Sequence, residues 1–117
     1  MDKKELEQRT KEFALRIIIL ITSLPKNKIG DVIGYQILKS GTSIGANYRE
    51  ANRAESRADF VHKINIVEKE ASETLYWLEL LVESGTVEER KSAELIDECG
   101  QLLAIFTVTG RSAKRRK

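Results

Sequence analysis

Cysteine, proline, histidine, methionine and tryptophan each occur once in this 117-residue chain, and several of these scarcities close off a class of protein. One cysteine, Cys99, forbids an internal disulfide and suits a reducing compartment, so the cytoplasm is the expected location. One histidine, His62, is a single metal ligand at best, and Asp59 and Glu68 do not stand at the helical spacing that would complete a site. No neighbouring His, Cys or paired carboxylates supply a nucleophile and its base. Gly41-Thr42-Ser43-Ile44-Gly45 lacks the Lys-Ser/Thr ending of a phosphate loop. Neither an enzyme nor a cofactor is expected. The longest apolar run, Ile17 to Ile21, is far short of the ~20 residues that span a bilayer, and no charged-then-apolar leader precedes the first helical pattern. Strand alternation broken by Asn-Gly or Asp-Gly turns is missing as well.

What remains reads as helix. Apolar residues make up 41% and charged residues 32% of the chain, enough for one soluble domain with one core. Asp2 with Glu5 opens a first helix carrying Leu6, Phe13, Ile17, Leu20 and Leu24, and Pro25 closes it. After Lys26-Asn27-Lys28, a second helix aligns Val32, Ile33, Ile37, Ser40, Ile44, Tyr48 and Ala51. Ser56 to Asp59 caps a third, with Phe60, Ile64, Val67, Ala71, Leu75, Leu78 and Val82. Gly85 ends it, and Thr86 with Glu89 opens a fourth that carries Leu95, Cys99, Leu102 or Leu103, and Phe106 as far as Gly110. The pattern predicts an all-α, antiparallel up-down-up-down four-helix bundle over residues 1–110, followed by a basic, mobile tail over 111–117.

The segment Ser40 to Ala51 puts unusual residues inside a helix. Gly41 and Gly45 stand four apart on one face, and each costs about 1 kcal/mol of helix propensity against Ala, which close approach of a neighbouring helix would offset. Asn47, beside Ser40 and Ser43, is expected to satisfy buried groups between helices, and Glu50 to pair with Arg53 or Arg57. Cys99 falls on the apolar stripe of its helix, where a thiol acts as a small hydrophobe.

Apolar residues wrap further round two helices than one core needs. Ile18 and Ile19 on the first helix, and Tyr76, Trp77 and Leu80 on the third, are therefore predicted to form an oligomer interface. Base stacking by those aromatics is disfavoured, because Glu70, Glu73, Glu79 and Glu83 nearby would repel phosphate. Twenty basic against eighteen acidic residues leave a net charge of only +2, so any polyanion site depends on where the cations gather. The candidates are Lys26, Lys28, Lys39, Arg49, Arg53, Arg57, Lys63, Arg111, Lys114, Arg115, Arg116 and Lys117.

Leu24-Pro25, the block Ser40 to Ala51, Ser56-Arg-Ala-Asp-Phe60, Lys69-Glu-Ala71 and Glu73-Thr-Leu-Tyr-Trp-Leu-Glu-Leu-Leu81 followed by Ser84-Gly85 together resemble a bacterial family. It is the family of four-helix-bundle proteins encoded in intervening sequences of large-subunit ribosomal RNA genes. The resemblance spans nearly the whole chain. It implies a bundle that assembles into a homopentameric barrel, and a relation to the accessory protein of diversity-generating retroelements, which binds nucleic acid and a reverse transcriptase. The leading functional expectation is a non-catalytic oligomeric module that binds RNA or DNA through phosphate contacts. The alternative is a protein-binding scaffold or accessory subunit for a polymerase such as a reverse transcriptase, without a direct nucleic-acid role.

Overall fold

Four helices account for nearly all of residues 1–115, which are the residues the computed structural model describes: α1 (Lys3–Thr22), α2 (Lys28–Asn52), α3 (Arg57–Glu83) and α4 (Glu89–Arg115). Side chains cap three of them. Asp2 accepts from the Glu5 amide at 2.8 Å, Asn27 from Gly30 at 2.9 Å and Ser56 from Asp59 at 3.1 Å. At the end of α3 the Thr86 amide reaches back to the Leu81 carbonyl and the Gly85 amide to that of Val82. This pairing needs a left-handed residue, and Gly85 supplies it with φ +77°. Thr86 does not cap α4 as its spacing predicts; its hydroxyl instead lies 2.8 Å from that of Ser84.

Connections of four or five residues are too short to cross a helix of this length, so neighbours run antiparallel. The result is a rod of 49 × 20 × 20 Å. α2 packs closely on α1 and α3, α3 on α4, and α4 closes the ring more loosely against α1. The α1–α2 register is set by glycine. A Cβ on Gly41 would stand 2.9 Å from Ile17 Cγ1, and one on Gly45 would stand 3.1 Å from Thr10 Oγ1. A Cβ on Gly34 would come within 3.0 Å of Leu24 Cδ1. The core between the four helices is built from Phe13, Ile17, Ile37, Ile44, Ile64, Leu78, Leu81, Leu102 and Phe106, all buried.

Several sequence expectations change. Val32 is exposed, because Gly30 and Gly34 are the residues that face inward there. Leu81 rather than Val82 enters the core at the end of α3. Gly110 does not end the bundle: it is buried beside Ile64, and α4 runs on to Arg115 with Ala113 buried as well. Arg111, Lys114 and Arg115 thus belong to a helix; Arg116 and Lys117 lie outside the described residues. Asn47 donates to the Ser43 carbonyl of its own helix at 2.9 Å and bridges nothing. The hydroxyls that do meet in the core between helices are those of Ser40 and Thr74, joined by a 2.8 Å hydrogen bond.

Candidate nucleic-acid interface

Antiparallel packing sorts the cations by helix end. The C-termini of α2 and α4 and the N-termini of α1 and α3 meet at one end of the rod, which brings together Arg49, Arg53, Arg57, Lys63, Arg111, Lys114 and Arg115. Lys26 and Lys28 sit at the opposite end, and Lys39 lies midway along α2, so these three do not join the cluster. Lys3 and Lys4 do join it. They open α1, and only knowledge of which helix ends meet could have added them to the predicted set.

The charge division is large for a chain that is nearly neutral. Segments 1–10, 46–63 and 106–115, which form this end, hold ten Lys or Arg against six Asp or Glu, whereas the rest of the described chain, residues 11–45 and 64–105, holds eight against twelve. Local pairing then decides which cations are available. Arg9 is fully engaged, donating to both Glu98 oxygens at 2.6 Å and to Gln101 at 2.8 Å. The hydrogen bonds to Glu98, and the charge of that carboxylate, hold the Arg9 guanidinium above its ordinary value against a partial loss of solvation. Arg49 reaches Glu7 only at 3.9 Å, while Asn52 takes the other Glu7 oxygen at 2.9 Å. Among the described residues, Arg53, Arg57, Lys63, Arg111, Lys114 and Arg115 have no carboxylate within 4.0 Å, and Glu50 forms none of its expected pairs. Lys114 and Arg115 also lie in the last turn of α4, where the helix dipole favours positive charge.

The other half of the rod is apolar outside as well as inside. Leu15, Ile18 and Ile19 of α1, Ile29, Val32, Tyr35 and Leu38 of α2 and Tyr76 of α3 are all exposed. Trp77 and Leu80 are half-buried beside them, Tyr76 and Trp77 in a T-shaped pair at 5.1 Å. The register that sets Gly41 on Ile17 also puts Ile18 level with Leu38 and Thr22 level with Tyr35, so the α1 and α2 stripes merge into one face. Sequence reasoning found the outer residues of α1 and α3 and missed those of α2. Its spacing of Ile29, Val32, Ile33, Tyr35 and Leu38 round the helix carries the same signal.

Cys99 is fully buried, and its thiol approaches the Ala71 carbonyl at 3.4 Å. Burial, with smaller contributions from Glu79 and Glu98, pushes the thiol up to about 12. It therefore stays protonated, and native protein at pH 8 is expected to resist a thiol-alkylating reagent that labels it completely in denaturant. Rapid labelling of the folded chain would contradict this packing.

The sequence model of the 23S rRNA-intervening sequence proteins matches residues 2–107, nearly the length of the bundle. The chain belongs to this family. A crystal structure similar to it is that of a protein of unknown function from the S23 ribosomal protein family of Bacteroides thetaiotaomicron. The two are 39% identical and superpose with a TM-score of 0.87 over 95% of this chain and 99% of that one. A comparison with curated proteins finds no match. Among the described residues of this family member, no helix is long and apolar enough to cross a membrane.

Proposed function

We propose that this chain is a non-catalytic, oligomeric helical module of the cytoplasm that holds RNA or DNA by its phosphates at the basic end. The observation that carries this reading is the convergence of Arg53 at the C-cap of α2, Arg57 of α3, and Arg111, Lys114 and Arg115 of α4 on one end of the rod, without carboxylate partners among the described residues. Direct reading of base sequence is not implied, since phosphate contacts position a protein without specifying bases. The test is the affinity of the purified protein for a structured RNA and for a DNA duplex as salt is raised. Each neutralised phosphate is expected to contribute about 0.9 to the log-log slope on duplex DNA and about 0.7 on single strands. No affinity at low salt, or affinity flat in salt, would sink the reading.

Self-assembly through the apolar half, as a homopentameric barrel, belongs to the same proposal. Its support is an outer face too apolar and too continuous for a free monomer. Cyclic symmetry repeats the basic end once per copy, which raises the local potential well beyond that of a chain with net charge +2. Light scattering of the wild type is expected to give five times the chain mass, and Ile18→Lys with Leu38→Lys a monomer with its helix content intact. A monomeric wild type would overturn the assembly.

The breadth of the apolar half favours a second reading, in which the assembly docks a protein such as a reverse transcriptase and serves as its accessory subunit. Recovery of nucleic acid but no protein partner in a pull-down would count against it.

A further inference from the structure

The basic end has an uncovered edge, and the register explains it. Arg9 of α1 meets Glu98 and Gln101 of α4, so Lys3, the first residue of α1, is level with residues 104–107. From Val108 onward α4 has no α1 beside it. The overhang leaves a pocket of about 270 Å³ lined by Phe60, Val108, Thr109, Ser112 and Ala113, just below the range of sites for drug-sized ligands. Val108 is 61% exposed on its rim.

Phe60 singles this pocket out. Of the seven aromatic residues, Phe13, Tyr48 and Phe106 are buried. Tyr35, Tyr76 and Trp77 lie in the apolar half, where the carboxylates of Glu70, Glu73, Glu79 and Glu83 oppose phosphate. Phe60 alone is aromatic, half-buried and located among cations. Arg57 stands one turn before it on α3, and Arg111 and Arg115, three and seven residues beyond Val108, share Val108's side of α4. Asp59 is the acid adjacent to Phe60 in the chain and projects from a different face of the helix, about 100° away.

We infer that this pocket accepts one unpaired nucleobase, stacked on Phe60, with its flanking phosphates on Arg57, Arg111 and Arg115. The inference deepens the proposed function and rests on it: beyond phosphate binding in general, the basic end prefers single-stranded or frayed nucleic acid. A duplex keeps its bases stacked on one another and offers this pocket nothing.

The test compares a short single-stranded oligonucleotide with the blunt duplex of the same sequence, each titrated at low salt against wild type, Phe60→Leu and Ser112→Leu. Phe60→Leu keeps an apolar side chain in the core but removes the stacking surface. Ser112→Leu, at an exposed position, fills the pocket without touching the core. Both are expected to weaken single-strand binding roughly five- to a hundredfold, the range for losing one stacked base, and to leave duplex binding within about twofold. Should Phe60→Leu fail to fold, Ser112→Leu decides. Equal losses on both nucleic acids, unchanged single-strand affinity in the folded variants, or a changed assembly mass in place of a changed affinity would each overturn the pocket while the phosphate reading stands. Wild type that binds neither oligonucleotide would remove the proposed function itself.

Discussion

Changing Arg53, Arg57, Arg111, Lys114 and Arg115 together to glutamine is expected to lower affinity for duplex DNA by roughly two to three orders of magnitude at low salt. The log-log salt slope should flatten by about 0.9 for each phosphate that is no longer neutralised. The five side chains form no ion pair among the described residues, and all are exposed, so the fold should survive. Exposed substitutions of this kind usually change stability by less than about 0.5 kcal/mol each, and Lys114 and Arg115 add a dipole interaction of about 0.3–1 kcal/mol. Circular dichroism at the assay temperature checks this. Lys26→Gln with Lys28→Gln is the matched control, because those cations stand at the far end of a 49 Å rod. A loss in the control equal to that in the quintuple variant would mean that no end of the bundle is special, and that the division of charge along the rod does not act in binding.

Phe106→Ala should destabilise the protein most among single substitutions. Phe106 is fully buried, and its ring packs on Tyr48 with centroids 5.2 Å apart at a 57° tilt, joining α4 to α2 across the core. Deleting such a ring removes transfer energy and leaves a cavity, together about 3–5 kcal/mol, against a total stability of about 5–15 kcal/mol for a domain of this size. At fixed protein concentration the melting temperature should fall by roughly 10–20 °C. Below that transition the basic end keeps its geometry, so phosphate affinity at low temperature should change little. A shift of only a degree or two would show that the α2–α4 side of the core is not packed as described. An affinity loss in the still-folded variant would tie the binding surface to the core more closely than the exposed cations suggest.

Helix number, helix type and most caps were legible in the sequence because they depend on neighbours within four residues. Asp2 and Ser56 cap the helices they precede, and Gly85 takes the left-handed conformation that its place after α3 demands. Errors arose where a local rule met a neighbour from elsewhere in the chain. Gly110 reads as a terminator by its chemistry, yet α4 passes through it to Arg115, with Gly110 buried beside Ile64 of α3 and Ala113 buried one turn on. Val32 fits the apolar spacing of α2, yet Gly30 and Gly34 take the inner positions, Gly34 packing against Ile21 of α1 and Leu24 just beyond its end. Asn47 invites a role between helices, but the buried hydroxyls that meet there belong to Ser40 and Thr74.

The candidate site was legible only as a set of cations scattered along the chain. Sequence alone determined an all-α chain of four long helices with Gly41 and Gly45 in α2, a surplus of apolar surface and a small net charge, because composition, periodicity and capping are properties of the chain itself. Only the tertiary structure decided that Arg53, Arg57, Arg111, Lys114 and Arg115 share one end with Lys3 and Lys4 while Lys26 and Lys28 are excluded. It alone also left Phe60 uncovered among them. The reason is geometric: which helix ends meet follows from antiparallel packing, and where α4 outruns α1 follows from the Arg9–Glu98 register, and neither distance is written in residue order.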